Sequence, residues 1–179
     1  MQRRSLIGFR SACDQLWGSA GIDAICAQLP GDVRERTAGL RPLPDWIPVE
    51  DLVAWHHAVW HGPAKRDEAL MLWHARLTVD HGFGRVKRLM VAALSPHGLA
   101  ARVAPLWRAE YSTGRLQTLA LDERSVQLSL SEHTYVEVPL MRVIITEAYR
   151  HILSMTRAKN VTAVHAVRDG SLLVTLRWR

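Results

Sequence analysis

Cysteine is scarce in this chain of 179 residues: there are two, Cys13 and Cys26. They form no CxxC pair and have no further partners, which excludes a disulfide framework and a cysteine-based zinc knuckle and fits a reducing compartment. No apolar run approaches the roughly 18 to 20 residues that a membrane-spanning helix needs. The opening MQRRSLIGFRSAC has basic residues but no apolar stretch behind them, so a secretory signal is not expected and a cytoplasmic location is.

The motifs that carry common chemistries are missing as well. Ser5, Ser11 and Ser95 lack a GxSxG elbow, and neither cysteine has the surroundings of a nucleophile. There is no phosphate-binding GxxxxGK[ST] loop, and Gly82-Phe83-Gly84 is too short to replace one. The carboxylates Asp45, Glu50, Asp51, Asp80 and Glu110 show no spacing that defines an acid/base pair. His57 and His61 stand at i, i+4, but the segment reads HAVWH, so the glutamate of a zinc-protease HExxH is absent. His56, His57 and His61 are expected as solvated or hydrogen-bonded helix histidines. No catalytic residue, metal ligand or cofactor is assigned.

Acidic residues are outnumbered, 17 against 23 basic ones, for a formal charge of +6. The excess is spread: 14 basic against 11 acidic through Ser112, and 9 against 6 after it. No charged tail emerges, and a basic but ordinary surface is the simplest reading. The one local cluster is Arg85, Lys87 and Arg88 beside Leu89, Met90 and Val91, a candidate face for nucleic acid or an anionic membrane, though without stacking aromatics.

What is present indicates a folded chain, with 48% hydrophobic and 22% charged residues. The length suits one domain, with a helical lobe over 1–112 and a hairpin–helix–hairpin portion over 113–179. Ile22, Ile25, Cys26 and Leu29 give a helical stripe over 19–29, and a short helix is predicted at 32–37. Pro42, Pro44 and Pro48 predict an ordered turn over 39–47, which Trp46 is expected to pin to the core. Pro48 with Glu50 and Asp51 starts a helix over 48–61 that buries Leu52, Trp55, Ala58 and Val59 and stops at Gly62-Pro63. Further helices are predicted over 65–79, with Ala69, Leu70, Trp73 and Leu77 as the stripe and Gly82 with Gly84 as the break after it, and over 86–94 and 99–111.

After Gly114 the period changes to two. Leu119, Leu121, Val126, Leu128 and Leu130 predict a hairpin with one buried face, and 140–155 returns to helix around Ile144, Ile145, Ala148, Ile152 and Leu153. Asp169-Gly170 between 161–167 and 172–178 predicts a type I′ hairpin in which Ala163, His165 and Val167 oppose Leu176, Val174 and Leu172. The fold class is therefore α+β, a helical lobe followed by an antiparallel sheet in β-β-α-β-β order.

The unusual abundance is seven tryptophans. Most are expected to fill a core, because each buries so much apolar area. Trp73, Trp107 and Tyr111 are the candidates for lining an apolar ligand pocket. Met71, Leu72, Met90 and Val91 are candidates for an interface with a protein partner.

The order of elements, with an aromatic-bearing last strand, resembles the H-NOX (haem nitric-oxide/oxygen binding) fold and its 4-vinyl-reductase-type and trafficking-subunit relatives. Gly8-Phe9-Arg10, Trp46-Ile47-Pro48-Val49, Leu106-Trp107-Arg108, Tyr111-Ser112-Thr113-Gly114-Arg115-Leu116 and Leu176-Arg177-Trp178 resemble a bacterial paralogous family of unassigned function within that group. In haem-binding members a histidine in a Leu-His run before the first hairpin ligates iron; the similar place here is Leu106-Trp107. The Tyr-x-Ser-x-Arg pattern for the haem propionates is missing from 126–135, and neither His97 nor His133 restores the ligand at the matching position. The resemblance thus implies a haem-independent, non-catalytic binding or signalling domain acting through a protein partner, with an apolar small molecule as possible ligand. A nucleic-acid or anionic-membrane binder, and a metal or haem protein, are the alternatives.

Overall fold

The structure, a computed structural model, describes residues 1–38 and 43–179. Residues 39–42, the first part of the expected proline-rich turn, lie outside the described residues. The chain divides into two compact units, Met1–Gly82 and Phe83–Arg179.

The first unit is helical. It holds α1 (Arg3–Gln28), α2 (Gly31–Ala38), α3 (Val49–His61) and the first part of α4 (Glu68–Ala93). α3 begins where expected: Pro48 caps it, Glu50 and Asp51 favour its positive end, and Leu52, Trp55, Ala58 and Val59 are buried. The Trp55 indole N–H donates to Thr37 Oγ1 at 2.8 Å, and the Thr37 hydroxyl donates to the Val33 carbonyl, so α2 and α3 are joined by a buried chain of polar groups. Buried Asp51 receives two hydrogen bonds from the Arg36 guanidinium, which holds that guanidinium more firmly protonated than usual.

Two expectations fail in this unit. Trp46 is 46% exposed; Ile47 takes the core position instead, and Trp46 lies in an isolated bridge with Gln2. The helix predicted over 65–79 begins later, because Lys65 and Arg66 adopt positive φ; it is broken at Gly84 (φ 62°), as the glycine pair led one to expect, and the stretch predicted as the next helix runs on to Ala93. Its buried face is Met71, His74 and Ala75, whereas Ala69 and Trp73 are exposed and Leu70 and Leu77 half-buried. Counting apolar letters missed this face because a histidine occupies its centre.

The second unit contains the rest of α4, α5 (Pro96–Ala100), α6 (Val103–Glu110), β1 (Arg115–Leu121), β2 (Ser125–Ser131), α7 (Pro139–Ser154), β3 (Thr162–Arg168) and β4 (Ser171–Arg177). The span 99–111, expected as one helix, is divided between α5 and α6, with the Arg102 backbone off the helical conformation. A short 3₁₀ turn, Thr134–Val136, leads from β2 into α7. The sheet is antiparallel in the order β1-β2-β4-β3.

Its buried layer is a double row in which Val126, Leu128 and Leu130 of β2 pair with Leu176, Val174 and Leu172 of β4. The terminal hairpin has the predicted register, with Asp169 and Gly170 both at positive φ as a type I′ turn requires. His165 faces Val174, and its Nδ1 lies 3.1 Å from Thr146 Oγ1, so the polar member of that row ties β3 to α7. β1 departs from expectation. A register shift between Thr118 and Ala120 interrupts its pairing, and Leu119 and Leu121 are 52% and 43% exposed on an edge strand.

Among the described residues no helix is long and apolar enough to cross a membrane.

A candidate ligand seat in the second unit

Unit Phe83–Arg179 gathers a cluster of aromatic side chains from three elements. α6 supplies Trp107, and Tyr111 follows at its C-terminal end; their rings stack at 4.0 Å with planes 16° apart. The Trp107 N–H donates to the Thr113 carbonyl at 3.0 Å, folding the chain back on the helix end. Gly114 follows with φ 77°, and a Cβ there would lie 2.8 Å from the His133 side chain. Only glycine combines that backbone with that approach.

His133 and Tyr135 come from the end of β2 and the 3₁₀ turn. His133 stands edge-on to Trp107 at 4.9 Å, and Tyr135 stands edge-on to both His133 at 4.3 Å and Tyr111 at 5.9 Å. Trp107, His133 and Tyr135 are buried. The Tyr135 backbone N–H donates to His133 Nδ1 at 3.2 Å. An imidazole that accepts at Nδ1 carries its proton on Nε2, so in this arrangement neither nitrogen offers a free lone pair to a metal.

The phenols give the cluster its polarity. Tyr111 and Tyr135 hydroxyls are 3.5 Å apart, the outer limit of a hydrogen bond. Burial pushes the Tyr111 pKa up to about 12, against that hydrogen bond. Tyr149 of α7 has its hydroxyl enclosed with no hydrogen-bond partner; burial, then the charge of Tyr111, raises its pKa well above the ordinary value. A buried hydroxyl without a partner costs about 1 to 3 kcal/mol.

Of the residues singled out from sequence, Trp107 and Tyr111 are thus brought together. Trp73 lies in the first unit, 51% exposed. Tyr135 and Tyr149 were missed, since nothing in their spacing links β2 and α7 to α6, and His133 was weighed only as a substitute haem ligand. Lys87 is half-buried and pairs with Glu110 at 2.6 Å, while Arg85 and Arg88 are exposed. Of the four interface candidates, Met71 and Val91 are core residues, Leu72 is half-buried and Met90 is exposed.

The first unit has its own polar knot. His56 and His74 are 3% and 0% exposed and pack edge-on to Phe9, with their ring centroids 6.0 Å apart. Of the three helix histidines expected to be solvated or hydrogen-bonded, His56 is buried in the core, while His57 and His61 are exposed. The Cys13 thiol, its pKa raised by burial, lies 3.2 Å from His74 Nε2, and both Nδ1 atoms are enclosed without a well-formed hydrogen bond. Burial lowers the His74 pKa to about 4, against a smaller upward pull from the Phe9 backbone, and lowers that of His56 in the same direction. No group of three or more His, Cys, Asp or Glu residues suited to a metal occurs among the described residues.

The chain is similar in structure to an unliganded Fe(II) H-NOX protein from K. algicida, with a TM-score of 0.73 at 9% identity, covering 100% of this chain and 97% of that one. It is also similar to an H-NOX protein from S. oneidensis in the Fe(II)NO state, with TM-score 0.69, 10% identity and coverage of 100% and 99%. An oxygen-binding H-NOX domain related to soluble guanylate cyclases gives TM-score 0.66, 12% identity and coverage of 100% and 95%.

The chain has an H-NOX-like fold.

No family model matches it, and neither does any curated protein. The H-NOX-like architecture accounts for the α+β order, with helices preceding a four-stranded antiparallel sheet.

Proposed function

We propose that this chain is a cytoplasmic, non-catalytic sensing domain that binds a small, largely apolar molecule without haem and passes its state to a protein partner. The observation that carries the reading is the enclosed, unpartnered Tyr149 hydroxyl, within electrostatic reach of Tyr111 in the Trp107–Tyr111–Tyr135 cluster. Stacked rings supply apolar area, and one unpaired donor selects for an acceptor on the ligand. The preferred ligand is an aromatic or alicyclic molecule bearing a carbonyl or ether oxygen.

The structural neighbours are described as iron, oxygen and nitric-oxide complexes, so the fit of haem needs its own test. At the place that resembles their ligand run stands Trp107, whose indole has no lone pair for iron and whose N–H is used on Thr113. His133, the imidazole nearest to it, accepts the Tyr135 N–H at Nδ1 and so cannot offer Nε2 as a neutral ligand. These residues do not fit an iron-bound haem. Addition of haemin should give no sharp Soret band of ligated iron; a stoichiometric one would overturn this part of the reading.

The ligand reading is tested with a matched pair of probes, 1-acetonaphthone and 1-ethylnaphthalene, which share a ring system and differ in the carbonyl. The ketone should quench tryptophan fluorescence saturably and bind about tenfold more tightly than the hydrocarbon. Tyr149→Phe should erase that preference while leaving the protein folded. Equal binding of the two probes, or a ketone preference that survives Tyr149→Phe, contradicts it.

A further inference from the structure

The second arm of α4 turns one side inward and the other outward. Val91 is 6% exposed and Lys87 is held by Glu110 and by the Phe83 ring at 5.0 Å, so these positions face the unit. Val86, Leu89 and Met90 are 73%, 65% and 65% exposed, a stripe at i, i+3 and i+4 that exposed Ala93 continues at i+7. Arg85 and Arg88 border this stripe, exposed and with no acidic partner among the described residues.

The unit that carries the stripe is strongly basic. Residues 83–179 hold 14 Lys and Arg against 7 Asp and Glu, whereas residues 1–82 hold 9 against 10. The whole positive excess therefore belongs to the second unit, at +7 against −1, and an anionic surface would be drawn to it.

We infer that the outer face of this α4 arm, Val86, Leu89 and Met90 between Arg85 and Arg88, docks on an anionic phospholipid surface. Aliphatic side chains on a convex helix face enter the headgroup boundary without needing a matching recess, and flanking arginines meet lipid phosphates. A nucleic acid fits less well, because three exposed aliphatic side chains gain nothing against phosphate and the one ring on this arm, Phe83, is half-buried against Lys87 rather than free to stack on a base. A second copy fits less well too, since a two-fold contact through the stripe would bring Arg85 and Arg88 near their own copies. An acidic protein helix meets the charge, but the stripe has none of the tryptophan or tyrosine anchors on which protein hot spots centre. This inference stands apart from the ligand reading and does not depend on it.

The test is co-sedimentation of the full chain with vesicles of phosphatidylcholine alone and with vesicles enriched in phosphatidylglycerol. Binding should require phosphatidylglycerol and fall at least about tenfold between about 50 mM and about 300 mM salt. Paired substitution Leu89→Asp with Met90→Asp, and separately Arg85→Glu with Arg88→Glu, should each weaken it about tenfold or more. Circular dichroism and melting should match the parent protein, because all four side chains are exposed. Absence of phosphatidylglycerol-dependent binding at low salt overturns the inference, as does binding that either pair leaves unchanged. Tighter binding to a DNA duplex or to an acidic amphipathic peptide, lost in the same variants, overturns it in favour of that partner class.

Discussion

The imidazole of His74 is fully enclosed between Phe9, Trp17 and the Cys13 thiol, and its pKa is held down at about 4 by burial. An unfolded histidine titrates near 6.5, so below that pH the unfolded chain takes up a proton that the folded one refuses. Stability is therefore complete above about pH 6.5, declines as pH falls, and levels off below about 4, with a loss of about 3 kcal/mol from this residue. His56 adds to the loss with the same sign. Urea unfolding followed by tryptophan fluorescence should show this slope, and His74→Gln should flatten it; an unchanged slope in the variant would assign the effect elsewhere. Tyr149→Phe, by contrast, removes a hydroxyl that has no partner in the protein, and should leave stability in the absence of ligand equal or higher by about 1 kcal/mol in thermal melts. Neither residue was legible from sequence. His56 stands beside His57, and the rotation of α3 decides that one is core and the other exposed.

At the level of elements, local rules sufficed where the residues that decide the structure are neighbours. Pro48 with Glu50 and Asp51 set the start of α3, and Asp169-Gly170 set the last hairpin together with its register. Gly170→Ala should cost about 1 kcal/mol, seen as a lower urea midpoint with an unchanged slope, because alanine resists the positive φ of 69°. The glycines at 82 and 84 likewise marked the break in α4, which falls at Gly84, whereas the shift that exposes Leu119 was not legible because it depends on how β1 pairs with β2. The α2–α3 junction is a similar case. Thr37→Val should destabilise by about 2 kcal/mol in chemical denaturation, since it leaves the buried Trp55 N–H without its acceptor. A cost near zero would show that solvent replaces the threonine.

On the scale of the whole chain, the class of fold and the order of its elements were readable, and they agree with the H-NOX-like architecture despite identities of 9% to 12% to the three structures described. The distribution of charge was not: counted through Ser112 it looks even, and it separates only when the boundary between units is placed after Gly82. Of the aromatic cluster proposed to seat a ligand, the proximity of Trp107 and Tyr111 was legible because they are near in sequence, while Tyr135 and Tyr149 come from the turn after β2 and from α7. The central claim is that this cluster holds a carbonyl-bearing apolar molecule in place of a haem. It is tested most directly by NMR of protein carrying ¹³C-labelled tryptophan and tyrosine, titrated with 1-acetonaphthone. Saturable shifts should appear at Trp107, Tyr111, Tyr135 and Tyr149 and leave Trp46 and Trp73 unmoved. No saturable shift at the four, or shifts confined to the exposed tryptophans, would contradict it.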